Sequence, residues 1–300
     1  MLFSRAWWLD ATAGSENWDV ALVEVGGKIE ASMPFVVTRR HGRSFLAQPP
    51  LTQALGPWMR STDCKQANRI GREKDLMTGL IEQLPPFAHF AQTWHRHCTN
   101  WLPFYWAGFR QTTQYTYVLP QLSDLDSVWA GFRDNIRGDC RKAECRHHVK
   151  VRTDLGIDAF LRVHERSFVR QDMAPPYSDA FLTKVDEACH ARNARQIFIA
   201  EDAEGNHHAG AYIVWDNDSA YYLMGGGDPL WRGSGAPSLC LWHAIQFAST
   251  VTRSFDFEGS MREPIERFFR AFGAEQVPLL AVSKTPSRLL RGYWALRGRI

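Results

Sequence analysis

Apolar runs broken by glycine turns recur in two parts of the chain. Residues 18–38 read WDVALVEVGGKIEASMPFVVT, and residues 195–216 read RQIFIAEDAEGNHHAGAYIVWD. Each holds an apolar run, a Gly-containing turn and a second run that ends in small and β-branched residues, the pattern of a β-hairpin. A helical stretch follows in each half, Glu73–Gln83 in one and Ser238–Ala248 in the other. These lead into the strand-like runs FAHFAQTW and SFDFEGS. A short aromatic helix comes next, NWLPFYWAGF and then REPIERFFRAFGA, before a last apolar strand, QYTYVLP and VPLLAVS. Helix, Gly stop, polar residues and strand thus recur in one order. The recurrence predicts two α/β units of related topology, near 1–120 and 121–300.

Between them, Leu125–His148 reads as one helix, with Val128, Trp129, Phe132 and Ile136 at helical spacing and Ser123 or Asp124 as its cap. Spacings of four place Arg133, Arg137 and Arg141 on one face, with Lys142 and Arg146 beside them. Such a face can receive a phosphate or another anion, or it can be a solvated face that suits the helix C-terminus.

Composition narrows the class. The chain has 300 residues, 45% hydrophobic and 22% charged, enough to bury a sizeable core. No apolar run approaches the roughly 18 residues that span a bilayer. The first residues lack a signal peptide's charged head and apolar middle, so a cytoplasmic location is expected. The net charge of +3 is too mild to argue for DNA. The six cysteines form no C-x-x-C pair, and the histidines form no cluster at metal-ligand spacing, so no metal is expected.

FDFEGS is the place for a general base. If it is one strand, Asp256 and Glu258 share a face at period two, and neighbouring carboxylates raise one pKa. Gly225, Gly226 and Gly227 end an apolar run and suggest a bulge or a backbone lying against a ligand. HERSFVRQDMAPPYS carries Arg170, Gln171 and Tyr177 beside a Pro-Pro break, polar groups that can contact a substrate. WLPFYWAGF offers Trp101 and Tyr105, which serve either as stacking platforms or as core.

Several segments resemble the GNAT acyltransferase superfamily in its FemAB-like branch, which carries tandem GNAT units. They are IRGDCRKAECRHHVKV, RQIFIAEDAEGNHHAGAYIVWDNDSAYYLMGGG, WRGSGAPSLCLWHAIQFA and FDFEGSMREPIERFFRAFGA, with PPLTQALGPW and NWLPFYWAGF as first-half counterparts. The resemblance implies two mixed, mostly antiparallel twisted sheets flanked by helices. In the second, the sheet splays between its fourth and fifth strands and takes the acyl donor there. It also implies acyl-CoA as the donor, its diphosphate held by Arg232, Gly233, Ser234, Gly235 and Ala236, although Pro237 departs from the family's Gly or Ala and has no N–H to offer. Backbone N–H groups from Met224 to Gly226 would hold the acyl carbonyl. The family's Tyr on the last helix has no counterpart here, because that helix carries Phe268 and Phe269.

Three functions follow. The first is N-acyl transfer from a CoA thioester to a small or sugar-linked amine, as in cell-envelope or polysaccharide biosynthesis, with Glu258 or Asp256 receiving the proton and Arg141 and Lys142 aiding binding. The second moves an aminoacyl group from aminoacyl-tRNA to a peptidoglycan precursor. The third is a binding module that has lost catalysis. The sequence leaves the oligomeric state open.

Overall fold

The computed structural model describes residues 1–169 and 174–296. Its elements in chain order are α1 (Ala6–Ala13), β1 (Trp18–Val25), β2 (Lys28–Arg40), β3 (Arg43–Ala47), β4 (Trp58–Met59), α2 (Gln66–Glu82), β5 (His89–Thr93), α3 (Leu102–Trp106) and β6 (Arg110–Leu119). There follow α4 (Leu125–Gly131), α5 (Asp134–His147), β7 (Lys150–Arg152), α6 (Ile157–Val169), α7 (Asp179–His190), β8 (Arg195–Glu201), β9 (His207–Trp215), β10 (Ser219–Gly227), α8 (Ala236–Val251), β11 (Ser254–Asp256), α9 (Glu263–Arg270), β12 (Glu275–Lys284) and α10 (Arg288–Leu296). No described helix is long and apolar enough to cross a membrane.

The recurrence seen in the sequence is a recurrence of topology. Strands β1, β2 and β3, helix α2, strand β5, helix α3 and strand β6 come in the same order as β8, β9, β10, α8, β11, α9 and β12. In both runs the first three strands pair antiparallel, and the strand after the helix pairs parallel with the third. Each helix crossover makes its parallel pair, as such a connection requires. Both expected hairpins form. β1 and β2 join across Gly26 and Gly27 at φ 60° and 73°, the left-handed pair that a two-residue hairpin turn demands.

The chain divides into two compact units. One holds Phe3–Gln114 together with the chain from Pro278 onward, and the other holds Met1–Leu2 and Tyr115–Val277. The final segment, which the sequence assigned to the second unit, therefore folds with the first. Pairing explains why: β12 runs antiparallel to β5, and β6 runs antiparallel to β11. Each repeat's last strand completes the other repeat's sheet.

In the second unit the strand order is β6-β11-β10-β9-β8-β7. Its core includes Phe132, Ile136, Phe198, Ile213, Leu239, Phe255 and Phe272. The predicted helix 125–148 is two helices. Phe132 and Arg133 are extended, at ψ 141° and 151°, and the Arg133 N–H donates to Ala271 O at 2.9 Å. The break lets Phe132 turn into the core against Phe272 and Trp242, a packing that outweighs two more residues of helix. Arg133 is therefore the cap of α5 and not a member of an unbroken basic face. The first unit's core gathers Phe35, Leu46, Met77, Phe90, Trp94, Phe104 and Phe109.

Phe272 is fully buried, with the rings of Phe132, Phe257 and Phe268 within 5.3 Å of its own. Phe272→Ala is expected to cost about 3–5 kcal/mol in urea unfolding. A loss below about 1 kcal/mol would contradict this packing.

Candidate functional site

The site begins where two strands part. β10 and β11 pair in parallel over three positions, ending at Tyr221 opposite Asp256. β10 continues for six more residues, to Gly227, with β9 on one edge and without β11 on the other. Its pairing with β9 shifts register between Tyr222 and Met224, so Leu223 has no opposite residue and a bulge forms there. The bulge lies just ahead of the glycines and not at them. Gly225, Gly226 and Gly227 pair regularly with Ala211, Gly210 and Ala209.

Asp256 and Glu258 do come together, but not as neighbours on a strand face. β11 stops at Asp256, and Glu258 lies beyond it in the left-handed region at φ 57°. Asp256 Oδ1 accepts hydrogen bonds from the Glu258 N–H at 2.9 Å and from the Thr116 hydroxyl of β6. The carboxylate thus closes the turn that holds Glu258, and it is 6% exposed. A non-glycine residue adopts this backbone at a cost, which the Asp256 acceptor offsets. Burial pushes the Glu258 carboxyl well above the ordinary glutamate range, and the charge of Asp256 pushes it the same way. That combination raises the affinity of the Glu258 carboxyl for a proton.

The segment expected to cradle a diphosphate is differently built. Gly235, at φ 82°, caps α8, and a Cβ there would lie 2.2 Å from the Asp139 carbonyl of α5. Only glycine allows α5 to lie that close. The Ser234 N–H donates to Trp231 O, the Ala236 N–H to Ser234 Oγ, and the Ser238 N–H to Gly235 O. Pro237 has no N–H. Lys142 donates to Gly233 O, and Ser238 Oγ to the Asp139 carboxylate. Ser234, Ala236 and Ser238 are all buried. Three N–H groups of this segment are engaged within the protein, and the Asp139 carboxylate lies beside them.

Helix α6 covers the backbone at the end of β10. Gly225 O is 3.0 Å from His164 Nδ1, and Ser167 Oγ accepts from the Gly227 N–H at 2.7 Å. Nearby, Arg166 pairs with the buried Asp228, and Trp231 stacks on His208 at 4.2 Å. A cavity of about 200 Å³ opens there, lined by Ser167, His208, Gly227, Asp228, Trp231 and Arg232. Asp139, His164, Ser167 and Thr116 carry no local signature in the sequence. Tertiary contact alone brings them to the site.

The remaining candidates are more dispersed. Arg232 and Arg141 are exposed, whereas Lys142 is committed to the loop. Tyr177 lies just before α7, its ring 5.4 Å from Phe181. Trp101 and Tyr105 belong to the first unit. Trp101 packs on that core, and Tyr105 is 58% exposed. Arg170 and Gln171 lie outside the described residues.

The raised Glu258 carboxyl fixes a sign for pH dependence. Its contribution to stability is fully present below the unfolded glutamate pKa and is lost as pH rises through the higher folded value. Melting temperatures of the wild type and Glu258→Gln, compared from about pH 4 to pH 8, should therefore diverge, with the wild type losing ground as pH rises. Parallel curves would contradict a desolvated carboxyl.

Residues 130–270 match the family model of the acetyltransferase (GNAT) domain. No curated protein sequence matches the chain. Among solved structures, the fold is similar to that of FemX, at 11% identity and a TM-score of 0.68, over 99% of this chain and 94% of that one. It is also similar to L-PGS from Bacillus licheniformis, at 10% identity and a TM-score of 0.57, over 95% and 89%. A third is the C-terminal domain of a putative lysylphosphatidylglycerol synthetase from Agrobacterium fabrum, at 12% identity and a TM-score of 0.56, over 94% and 87%. The domain match over α5 to α9 and the parted parallel strands agree: residues 130–270 are an acetyltransferase (GNAT) domain, and the chain as a whole shares the fold of FemX.

Proposed function

We propose that this protein transfers an aminoacyl group from an RNA ester to an amine of a cell-envelope precursor, with the reaction in the gap between β10 and β11. The GNAT domain gives the reaction class, acyl transfer. The observation that carries the choice of donor is the start of α8. A CoA diphosphate needs open backbone N–H groups there. Here the Ser234, Ala236 and Ser238 N–H groups are engaged by Trp231, Ser234 and Gly235, Pro237 has none, and the backbone of Asp139 packs against Gly235. An ester held by its ribose and its acyl group makes no such demand. The similar fold of a putative lysylphosphatidylglycerol synthetase, whose name makes a lysyl group the one attached, supports an aminoacyl group as the one transferred. The exposed cations Arg133, Arg141 and Arg146 on and beside α5 suit the phosphodiester backbone of an RNA.

The chemistry then runs on groups already placed. The acceptor nitrogen attacks the ester carbonyl, and its carbonyl oxygen becomes an oxyanion. In this reading, backbone N–H groups at the Leu223–Met224 bulge stabilise that charge. Glu258, as carboxylate, takes the proton released from nitrogen. Asp256 holds Glu258 in place through its backbone N–H and raises its basicity through its charge.

Two measurements test the reading. Purified protein should form amide product with aminoacyl-tRNA, and ribonuclease treatment of the donor should abolish it. Acetyl-CoA should neither support turnover nor raise the melting temperature, and either effect would overturn the choice of donor. Glu258→Gln should lower kcat by about 10²–10⁴-fold with the fold intact. Wild-type kcat should rise with pH through the elevated Glu258 pKa, and a flat profile would contradict the role of base.

A further inference from the structure

Acyl transfer from an ester leaves an alkoxide that needs a proton, and α9 offers none, since Phe268 and Phe269 occupy it. The aromatic face of α9 nevertheless points to a hydroxyl. Tyr222, the first residue of β10 beyond its last pairing with β11, sets its ring edge-on to Phe269 at 5.9 Å and 87°. From there the ring runs along β10 toward its C-terminal end. A Cβ on Gly225 would lie 1.6 Å from Tyr222 Oη and 2.6 Å from Cζ. The glycine at 225 is therefore the space that the phenol occupies. Among the described residues, no hydrogen bond engages the Tyr222 hydroxyl.

We propose that Tyr222 is the general acid of the transfer, giving its phenolic proton to the leaving oxygen of the donor. The inference rests on the acyl-transfer reading above. The new C–N bond forms as the acyl C–O bond breaks. The electron pair of that bond goes to the ribose oxygen, which takes the proton from Tyr222. The acceptor's proton goes to Glu258. Solvent then returns one proton to the phenolate and removes one from Glu258, so ester and amine give amide and alcohol with no net proton. Burial raises the Tyr222 pKa and keeps the phenol protonated at neutral pH. An alkoxide is basic enough to take that proton.

The test varies the leaving group. Tyr222→Phe keeps the ring against Phe269 and removes only the hydroxyl. On aminoacyl-tRNA it should lose about 10²-fold in kcat, with the acceptor KM unchanged. On the p-nitrophenyl ester of the same amino acid, whose leaving group departs without a proton, wild type and Tyr222→Phe should agree within about threefold. Equal activity of the two proteins on the RNA ester overturns the role. An equal deficit on both donors also overturns it, because the ring's packing would then be at fault. A wild type inactive on both donors overturns the acyl-transfer reading itself, and this role with it.

Discussion

A parallel strand pair that stops after three residues is the constraint on which the rest depends. Up to Tyr221, β10 is an inner strand, its edges taken by β9 and β11. Beyond it, six residues of β10 lie past β11, and burying unpaired backbone groups is costly. Helix α6 meets part of that cost at Gly225 and Gly227. What remains is a stretch of strand with a bulge at Leu223 and without β11 alongside it.

β11 ends where it does because of Asp256. Its carboxylate draws the Glu258 N–H back toward itself while accepting from Thr116 on β6, so the chain turns out of the sheet. The same two contacts set the electrostatics. The Glu258 side chain sits in a desolvated place beside a second carboxylate, and its affinity for a proton rises. One short-range turn thus both ends the strand pair and raises the affinity of the Glu258 carboxyl for a proton.

Much of the fold is written locally. The hairpins, the Ser238–Ala248 helix and the aromatic helix before the last strand each follow from period and turn chemistry, and all form. The exchange of β6 and β12 is not local, since an apolar strand does not say which neighbour it will meet. The break at Phe132 escaped the helical period because Phe132 serves the core better outside the helix. At the site, the sequence paired Glu258 with Asp256 by strand alternation, whereas the structure joins them through a turn that Asp256 closes. The closure of α8 by α5 and the reach of Tyr222 over Gly225 depend on contacts between distant residues or on a side chain's path. No spacing of residue types announces either.

The most direct measurement is a crystal structure with a non-hydrolysable amide analogue of an aminoacylated adenosine. The acyl carbonyl is expected in the gap, within hydrogen-bond distance of the Leu223–Met224 backbone and beyond the Tyr221–Asp256 pair. An analogue bound instead along Arg232 to Ala236, or outside the gap altogether, would contradict the placement of the reaction.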